Sequence, residues 1–187
     1  MSSASVRSTG SDFDDNALFA SVVMPHVDAA YRLALYLTGS RTDAEDVVQD
    51  ASLRAFRAIR GFAGGSALAW VLSIVRNTAY SWLRKNRPGV IITVEDLEAV
   101  EAVQPKLGQP DAATPEAALI AKTDAERVRA AIAALPTPFR ETLVLRDIEG
   151  LGYREIAEVS EVPIGTVMSR LARARCRLIA TIGGENR

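Results

Sequence analysis

The stretch EVPIGTVMSRLARARCRL, Glu161–Leu178, predicts how the end of this chain folds. Its apolar residues recur at i, i+4, i+7 and i+11, which is the spacing of one helix face, and these are Val167, Leu171, Ala174 and Leu178. The segment YREIAEVS directly precedes it and is also helical in pattern, with a turn around residues 160–162. Pro163 suits the first turn of the second helix. Two helices joined by so short a turn predict a helix-turn-helix.

The opposite side of this second helix is predicted to contact DNA. It combines two hydroxyls with three arginines, and these are Thr166, Ser169, Arg170, Arg173 and Arg177. Arg175 lies off this side. A solvated arginine face would explain the charge alone. It would not explain the small residues Gly165, Thr166 and Ser169 at the start of the helix, where insertion into a groove requires slim side chains. We therefore favour DNA recognition.

Composition argues against several other classes of protein. The chain has 187 residues, of which 48% are hydrophobic and 6% aromatic, and this supports helical domains with packed cores. A membrane span needs roughly 18–20 apolar residues in a row, and no such run occurs. Cys176 and His26 are the single residues of their types, which argues against a disulfide or a zinc site. Cys176 is interpreted as a packing residue on a helix flank, with a redox switch as the alternative. We expect a cytoplasmic protein that is not an enzyme and uses no metal or cofactor.

Charge divides the chain into regions. The formal net charge is −1, but residues 21–87 carry +4, residues 95–126 carry −6 and residues 153–180 carry +2. The acidic region is also rich in proline and glycine, which prevent a long helix. We predict an all-α protein of two small helical domains, 18–87 and 114–182. A flexible acidic linker, 88–113, joins them, either as a spacer or as a segment that lies against a basic face. Disordered tails cover residues 1–17 and 183–187.

The first domain is predicted to be a compact bundle of three or four helices. One helix ends at Gly39, which is a natural C-cap. Thr42 and Glu45 have the spacing of a capping box for the next helix. After the glycine-rich segment GFAGGS, another helix has an apolar stripe made of Leu68, Leu72, Val75, Ala79 and Trp82 or Leu83. Trp82 is expected in the core and Trp70 is expected to be mostly packed.

Three stretches, taken together and in order, resemble a known family. They are DAEDVVQDASLRAF, AWVLSIVRNTAYSWLRKNR and ALPTPFRETLVLRDIEGLGYREIAEVSEVPIGTVMSRLARAR. The chain resembles the extracytoplasmic-function sigma factors of bacterial RNA polymerase. The first two stretches are similar to conserved region 2 and the last to region 4, so the likeness covers about residues 20–87 and 115–180.

The resemblance implies a role for each region. The helix around 43–57 would bind the clamp helices of the polymerase β′ subunit through Asp43, Asp46, Gln49, Asp50 and Arg54. The Phe62–Ala67 loop and the next helix would bind the −10 element through Phe62, Ser66, Arg76, Asn77, Tyr80, Arg84 and Lys85. The last helix would read the −35 element through Thr166, Met168, Ser169, Arg170, Arg173 and Arg177. Met168 and Ala172 depart from the family pattern, which often has arginine and an aromatic residue there.

Charge also predicts a partner. A DNA-binding protein that works alone usually carries a marked positive excess, and this chain does not. Core polymerase, through its β′ clamp helices and β flap, would hold both domains at a fixed separation and allow bivalent binding to promoter DNA. The resemblance also implies an anti-sigma factor as regulator and a monomer when free. The alternative is a free-standing helix-turn-helix regulator, which would usually dimerise on palindromic DNA.

Overall fold

The computed structural model describes residues 9–87 and 126–184, and within these ranges every regular element is helical. The all-α prediction is therefore confirmed for the described part of the chain. The described residues fall into two compact units. The linker itself, 88–113, and the predicted start of the second domain, 114–125, lie outside the described residues.

Between residues 9 and 86, the first unit contains four α-helices and two short 3-10 turns. The helices are α1 (Thr9–Val22), α2 (Val27–Thr38), α3 (Arg41–Ala58) and α4 (Ala67–Asn86), and the turns are Met24–His26 and Ile59–Gly61. Helices α2, α3 and α4 pack against one another. Their apolar stripes form the core, with fully buried side chains at Leu33, Leu37, Val47, Ile59, Leu72, Val75 and Leu83. The periodicity of each helix thus correctly predicted the bundle.

Helix α1 corrects the predicted tail. The sequence predicted disorder through residue 17, but the helix begins at Thr9. Two contacts hold α1 to the bundle. The Arg60 Nε donates to both carboxylate oxygens of Asp15 at 2.9 and 2.8 Å, and Phe19 packs edge-on against Phe56 with centroids 5.5 Å apart. Because both partners lie about 40 residues away in sequence, the local pattern did not reveal them.

The junction between α2 and α3 confirms one predicted cap and corrects another. Gly39 ends α2 with a left-handed backbone, φ 71°, and its N–H donates to Leu35 O, as a C-capping glycine does. The N-cap of α3 is Ser40, whose Oγ accepts from Asp43 N at 3.4 Å. The predicted capping box at Thr42 is wrong, because Thr42 already lies inside the helix. Ser40 has the extended backbone that an N-cap requires.

Gly39→Ala is expected to lower the free energy of unfolding of the first unit by about 1 kcal/mol. A Cβ at Gly39 would meet no atom within 4 Å, so the cost is that of the positive φ alone. The matched control is Gly61→Ala, since Gly61 has equal space and no positive φ. Urea unfolding followed by tryptophan fluorescence measures both, because the two tryptophans lie in α4. Equal shifts for the two variants would contradict this explanation.

The second unit begins, in its described part, with α5, residues 126–134. Helix α6 (Thr137–Leu143) continues into a π-helical turn, Val144–Ile148, and α7 (Tyr153–Ser160) and α8 (Ile164–Gly184) follow. Pro136 and Pro138 predict a break in the helical pattern, and the structure confirms it, since Pro136 precedes α6 and Pro138 lies in its first turn. The Arg140 guanidinium donates to the carbonyls of Ala133 and Leu135 at the end of α5. Helix α8 ends at Gly184, two residues into the predicted tail 183–187.

The connections around α7 are fixed by backbone geometry. Gly150 predicts the end of the preceding helix, and in the structure it follows the π-helical turn with a φ of 76°. Arg146 stacks over the Tyr153 ring at 4.9 Å and donates to Leu151 O at 2.7 Å. After α7, Glu161 adopts a positive φ of 55° and Val162 N donates to Ala157 O. Helices α7 and α8 with this tight turn are the predicted helix-turn-helix. Ile156, Val167, Leu171 and Ala174 are buried in its core.

Candidate nucleic-acid and polymerase interfaces

The first half of α8 presents an accessible face. Ser169 and Arg173 are exposed, Met168 is 49% exposed, and Thr166 is half-buried. The Pro163 carbonyl accepts from the amides of Thr166 and Val167, so the helix is regular from its first turn. The Ser169 hydroxyl donates to Thr166 O at 3.0 Å, which leaves its oxygen able to accept a further hydrogen bond. This face fits the predicted groove contact.

Arg170 does not lie on this face, and its prediction as a DNA contact is contradicted by its burial. The side chain is only 8% exposed. Arg170 follows Val167 by three residues and precedes Ala174 by four, so it belongs to the buried stripe of α8. The spacing was therefore readable from the sequence. Arg170 was grouped with the other arginines because of its charge, although its position on the helix places it with the apolar residues.

The side chains of Arg175 and Arg177 contact other residues of the second unit. The Arg177 guanidinium lies 5.1 Å from the centre of the Phe139 ring on α6 and covers that ring. Arg175 forms a two-contact ion pair with Asp147 in the π-helical turn, with Nε 3.1 Å from Oδ2. This hydrogen bonding raises the pKa of the Arg175 guanidinium above its ordinary value. Arg175 is therefore held against the π-helical turn of its own unit, and the pair helps to orient α8.

The loop between α3 and α4 has an unusual backbone. Gly64 and Gly65 both have left-handed φ values, 91° and 89°, which side chains with a Cβ rarely adopt. Ser66 accepts from Ala69 N at 3.3 Å and thus acts as the N-cap of α4, while remaining exposed. Phe62 is half-buried against Trp70, with ring centroids 5.3 Å apart. Two aromatic rings therefore meet at the base of an exposed, glycine-shaped loop.

A polar and aromatic stripe continues along α4 from this loop. It recurs at i, i+7, i+10 and i+14 and consists of Trp70, Asn77, Tyr80 and Arg84. Arg76 stacks over the Tyr80 ring at 4.5 Å and donates to Asn77 Oδ1 at 2.9 Å. Arg84 donates to Ser81 Oγ at 3.3 Å. Lys85 is exposed but lies about 100° around the helix from Arg84.

The structure leaves both tryptophans half-buried. Trp70 agrees with the expectation that it is mostly packed, and it also belongs to the stripe with Asn77 and Tyr80. Its position seven residues before Asn77 was the signal in the sequence. Trp82 was expected in the core and is also half-buried, at the edge of the apolar stripe.

A third face lies on α3, opposite its buried alanines and valines. Asp46, Gln49 and Asp50 are exposed, and Asp43 is half-buried near the N-cap. Asp50 accepts from Arg54 in an exposed i,i+4 pair at 2.8 Å. Leu53, which was not predicted, is 55% exposed among these polar groups. An apolar residue outside the apolar stripe was the signal that could have identified it.

The described residues contain neither a candidate metal site nor a candidate membrane-spanning helix. Within 9–87 and 126–184, no three His, Cys, Asp or Glu side chains form a group that could hold a metal ion. No helix in those ranges is both long and apolar enough to cross a bilayer.

Comparison with known proteins agrees with the two units. Residues 22–88 match the family described as Sigma-70 region 2, and residues 125–178 match Sigma-70, region 4. The RNA polymerase sigma-H factor of Pseudomonas aeruginosa is 34% identical over 165 residues, which are 86% of this chain and 84% of that protein. The ECF RNA polymerase sigma factor SigE of Mycolicibacterium smegmatis is 35% identical over 84% of this chain, which spans 58% of that relative's length.

A solved structure is similar over most of the chain. The sigma factor RpoE from Bartonella quintana, crystallised with the anti-sigma factor NepR, aligns with 88% of this chain and 96% of its own, at 26% identity and a TM-score of 0.66. The relatives are sigma factors, which are transcription initiation factors and not enzymes. The two family matches, the two curated relatives and this structure all agree with the helix-turn-helix and the bundle described above. The chain therefore belongs to the sigma-70 family of RNA polymerase sigma factors, in its extracytoplasmic-function group.

Proposed function

We propose that this chain binds core RNA polymerase in the cytoplasm and directs it to promoters by contacting the −10 and −35 elements. The observation that carries the proposal is the exposed pair Ser169 and Arg173 on the second helix of a helix-turn-helix. That motif occurs in the same chain as the Phe62–Trp70 loop and the stripe on α4. Each feature falls within a matched sigma region.

Helix α8 is proposed to enter the major groove of the −35 element. Arginine can donate two hydrogen bonds to the O6 and N7 of a guanine, and serine can donate to or accept from any base edge. The buried stripe on the other side of α8, which includes Val167 and Leu171, holds the helix to its own unit during this contact. The Arg175–Asp147 pair restrains rotation of α8 about its axis. We therefore expect Ser169 and Arg173 to contribute most of the direct readout.

The loop at Gly64–Gly65 and the stripe on α4 are proposed to hold the opened −10 element. Taking a base out of the stack costs a few kcal/mol, which aromatic stacking and cationic contacts must offset. Phe62 and Trp70 form the aromatic floor of the loop. Arg76 is already held in place by Tyr80 and Asn77, so less side-chain entropy is lost when it meets a phosphate. Arg84 would extend this contact along the strand.

The exposed face of α3 is proposed to bind the β′ clamp helices. Asp46, Gln49 and Asp50 supply hydrogen-bond acceptors. Leu53 supplies an exposed apolar side chain that would be buried at the centre of the interface. Because the chain has a net charge of −1, phosphate contacts alone should give weak DNA affinity. Attachment to polymerase would raise the local concentration of both DNA-binding faces at the promoter.

An anti-sigma factor is proposed as the regulator of this chain. The similar RpoE of Bartonella quintana was solved in complex with the anti-sigma factor NepR. A protein that covered the α3 face or the α8 face would block polymerase or promoter binding directly.

Run-off transcription tests the proposal. The purified chain is mixed with core polymerase and a library of genomic promoter fragments, and the start sites are mapped. We expect transcripts that depend on the chain and share −10 and −35 sequences. A chain that gives no promoter-specific transcript, but binds a palindromic duplex at nanomolar concentration as a dimer, would be a free-standing regulator instead.

Asp50→Ala is expected to weaken core polymerase binding about threefold to tenfold, since it removes a charge-assisted hydrogen bond at the α3 face. Asp28→Ala is the matched control, because Asp28 is an exposed aspartate on α2. Fluorescence anisotropy with labelled chain measures the affinity, and −35 selectivity should be unchanged. Equal weakening by both variants would indicate a general charge effect and would remove Asp50 from the interface.

A further inference from the structure

The recognition helix carries an exposed apolar strip beside its polar residues. Ile164, Met168 and Ala172 recur at i, i+4 and i+8, and all three are exposed, Ile164 by 41% and Met168 by 49%. The strip is about 12 Å long, because each helical residue advances about 1.5 Å. It lies next to the polar strip of Ser169 and Arg173, since Ala172 follows Ser169 by three residues. The strip is thus part of the face that would enter the groove.

The surroundings of the strip favour nucleic acid as its occupant. From 162 to 177 the sequence contains no acidic residue, and Arg173 is exposed beside the strip, so the charge of this face complements a polyanion. Gly165 and Ala172 flank Met168 and have almost no bulk, so Met168 projects beyond its neighbours. A Cβ at Gly165 would meet nothing within 4 Å, which confirms that the surface is open there.

The major groove offers one apolar group, and this is the C5-methyl of thymine. An unbranched methionine can adapt to such a methyl, because its flexible thioether fills irregular gaps. Arginine or a bulky aromatic residue at these positions would instead contact hydrogen-bonding edges or stack. Met168 and Ala172 therefore offer an apolar contact to the bases at positions where arginine would offer hydrogen bonds.

We propose that Met168, supported by Ile164 and Ala172, reads thymine through its methyl group in the −35 element of this chain's promoters. The inference rests on the proposed function and specifies the base that this part of α8 recognises. Arg173 and Ser169 supply hydrogen bonds on one side, and Met168 supplies the methyl contact on the other. The promoters selected should contain thymine at one or more fixed positions of the −35 element.

Removal of the methyl group tests this directly. Promoter duplexes randomised in the −35 segment are selected by the reconstituted holoenzyme, and each selected thymine is then replaced singly by deoxyuridine. This change removes the C5-methyl and leaves every hydrogen-bonding group in place. We expect one substitution to reduce open-complex formation about fourfold, which corresponds to one buried methyl group.

Met168→Gln supplies the matched protein variant, since glutamine has a similar length and no apolar end. With this variant, the thymine and deoxyuridine promoters should form open complexes within a factor of about 1.5 of each other. Met24→Gln is the control, because Met24 is an exposed methionine in the first unit, and it should keep the fourfold difference.

Three results would overturn the inference. An active holoenzyme that selects no thymine, or that ignores its replacement by deoxyuridine, removes the methyl readout and leaves the proposed function intact. A Met168→Gln variant that weakens core polymerase binding and keeps the fourfold difference would show that the strip contacts protein. A chain that supports no transcription at all overturns the proposed function as well.

Discussion

Arg173→Ala is expected to reduce transcription from a selected promoter by about tenfold to a hundredfold while leaving core polymerase binding unchanged. A well-placed bidentate contact to guanine discriminates by about 1–3 kcal/mol, which corresponds to about fivefold to 150-fold. Arg173 is exposed on α8, whereas Arg170 is buried and Arg177 covers the Phe139 ring. Of these three arginines, only Arg173 is exposed on the face beside Ser169.

Two further variants show which kind of contact Arg173 makes. Arg173→Lys keeps the charge but loses the planar two-donor geometry. If Arg173 contacts guanine, transcription with the lysine variant should stay as low as with the alanine variant. If Arg173 contacts a phosphate, the lysine variant should restore transcription. Arg32→Ala, an exposed arginine on α2, controls for net charge. Open-complex formation and core binding are measured separately for each variant. If core binding falls as far as transcription does, Arg173 belongs to the polymerase interface and its assignment to DNA is wrong.

Ile156→Ala is expected to lower the free energy of unfolding of the second unit by about 3 kcal/mol. Ile156 lies on α7, is completely buried and supports the packing of α8 in the helix-turn-helix. Truncation leaves a cavity as well as losing buried apolar surface. Since small domains are stable by only about 5–15 kcal/mol, this loss removes a substantial part of the stability that holds the recognition helix in place.

The control for this prediction is Ile179→Ala, which makes the same chemical change at a position that is 39% exposed on α8. It should cost less than about 1 kcal/mol. Urea unfolding followed by far-ultraviolet circular dichroism gives both values. Tryptophan fluorescence, which reports on the first unit, should be unaffected at the same urea concentrations in either variant. Similar losses for the two isoleucines would contradict the assignment of Ile156 to the core.

Features with a local cause were predicted correctly. Gly39 ends α2 because only glycine readily adopts the left-handed conformation needed there, and the prolines at 136 and 138 separate α5 from α6 because proline cannot continue a helix from within. The stop at Gly150 and the turn before Pro163 follow the same logic. The misplaced cap at Thr42 shows the limit of such signals, because Ser40, two residues earlier, could also cap.

By itself, the sequence determined the helical class, the division into two units and the helix-turn-helix, because periodicity, capping and charge act over a few neighbouring residues. Tertiary structure decided which polar residues are available for function. It attached Asp15 to Arg60 and placed Phe139 beneath Arg177. These contacts join residues that are far apart in the sequence. The packing of whole helices brings them together, so the local spacing of residues does not predict them.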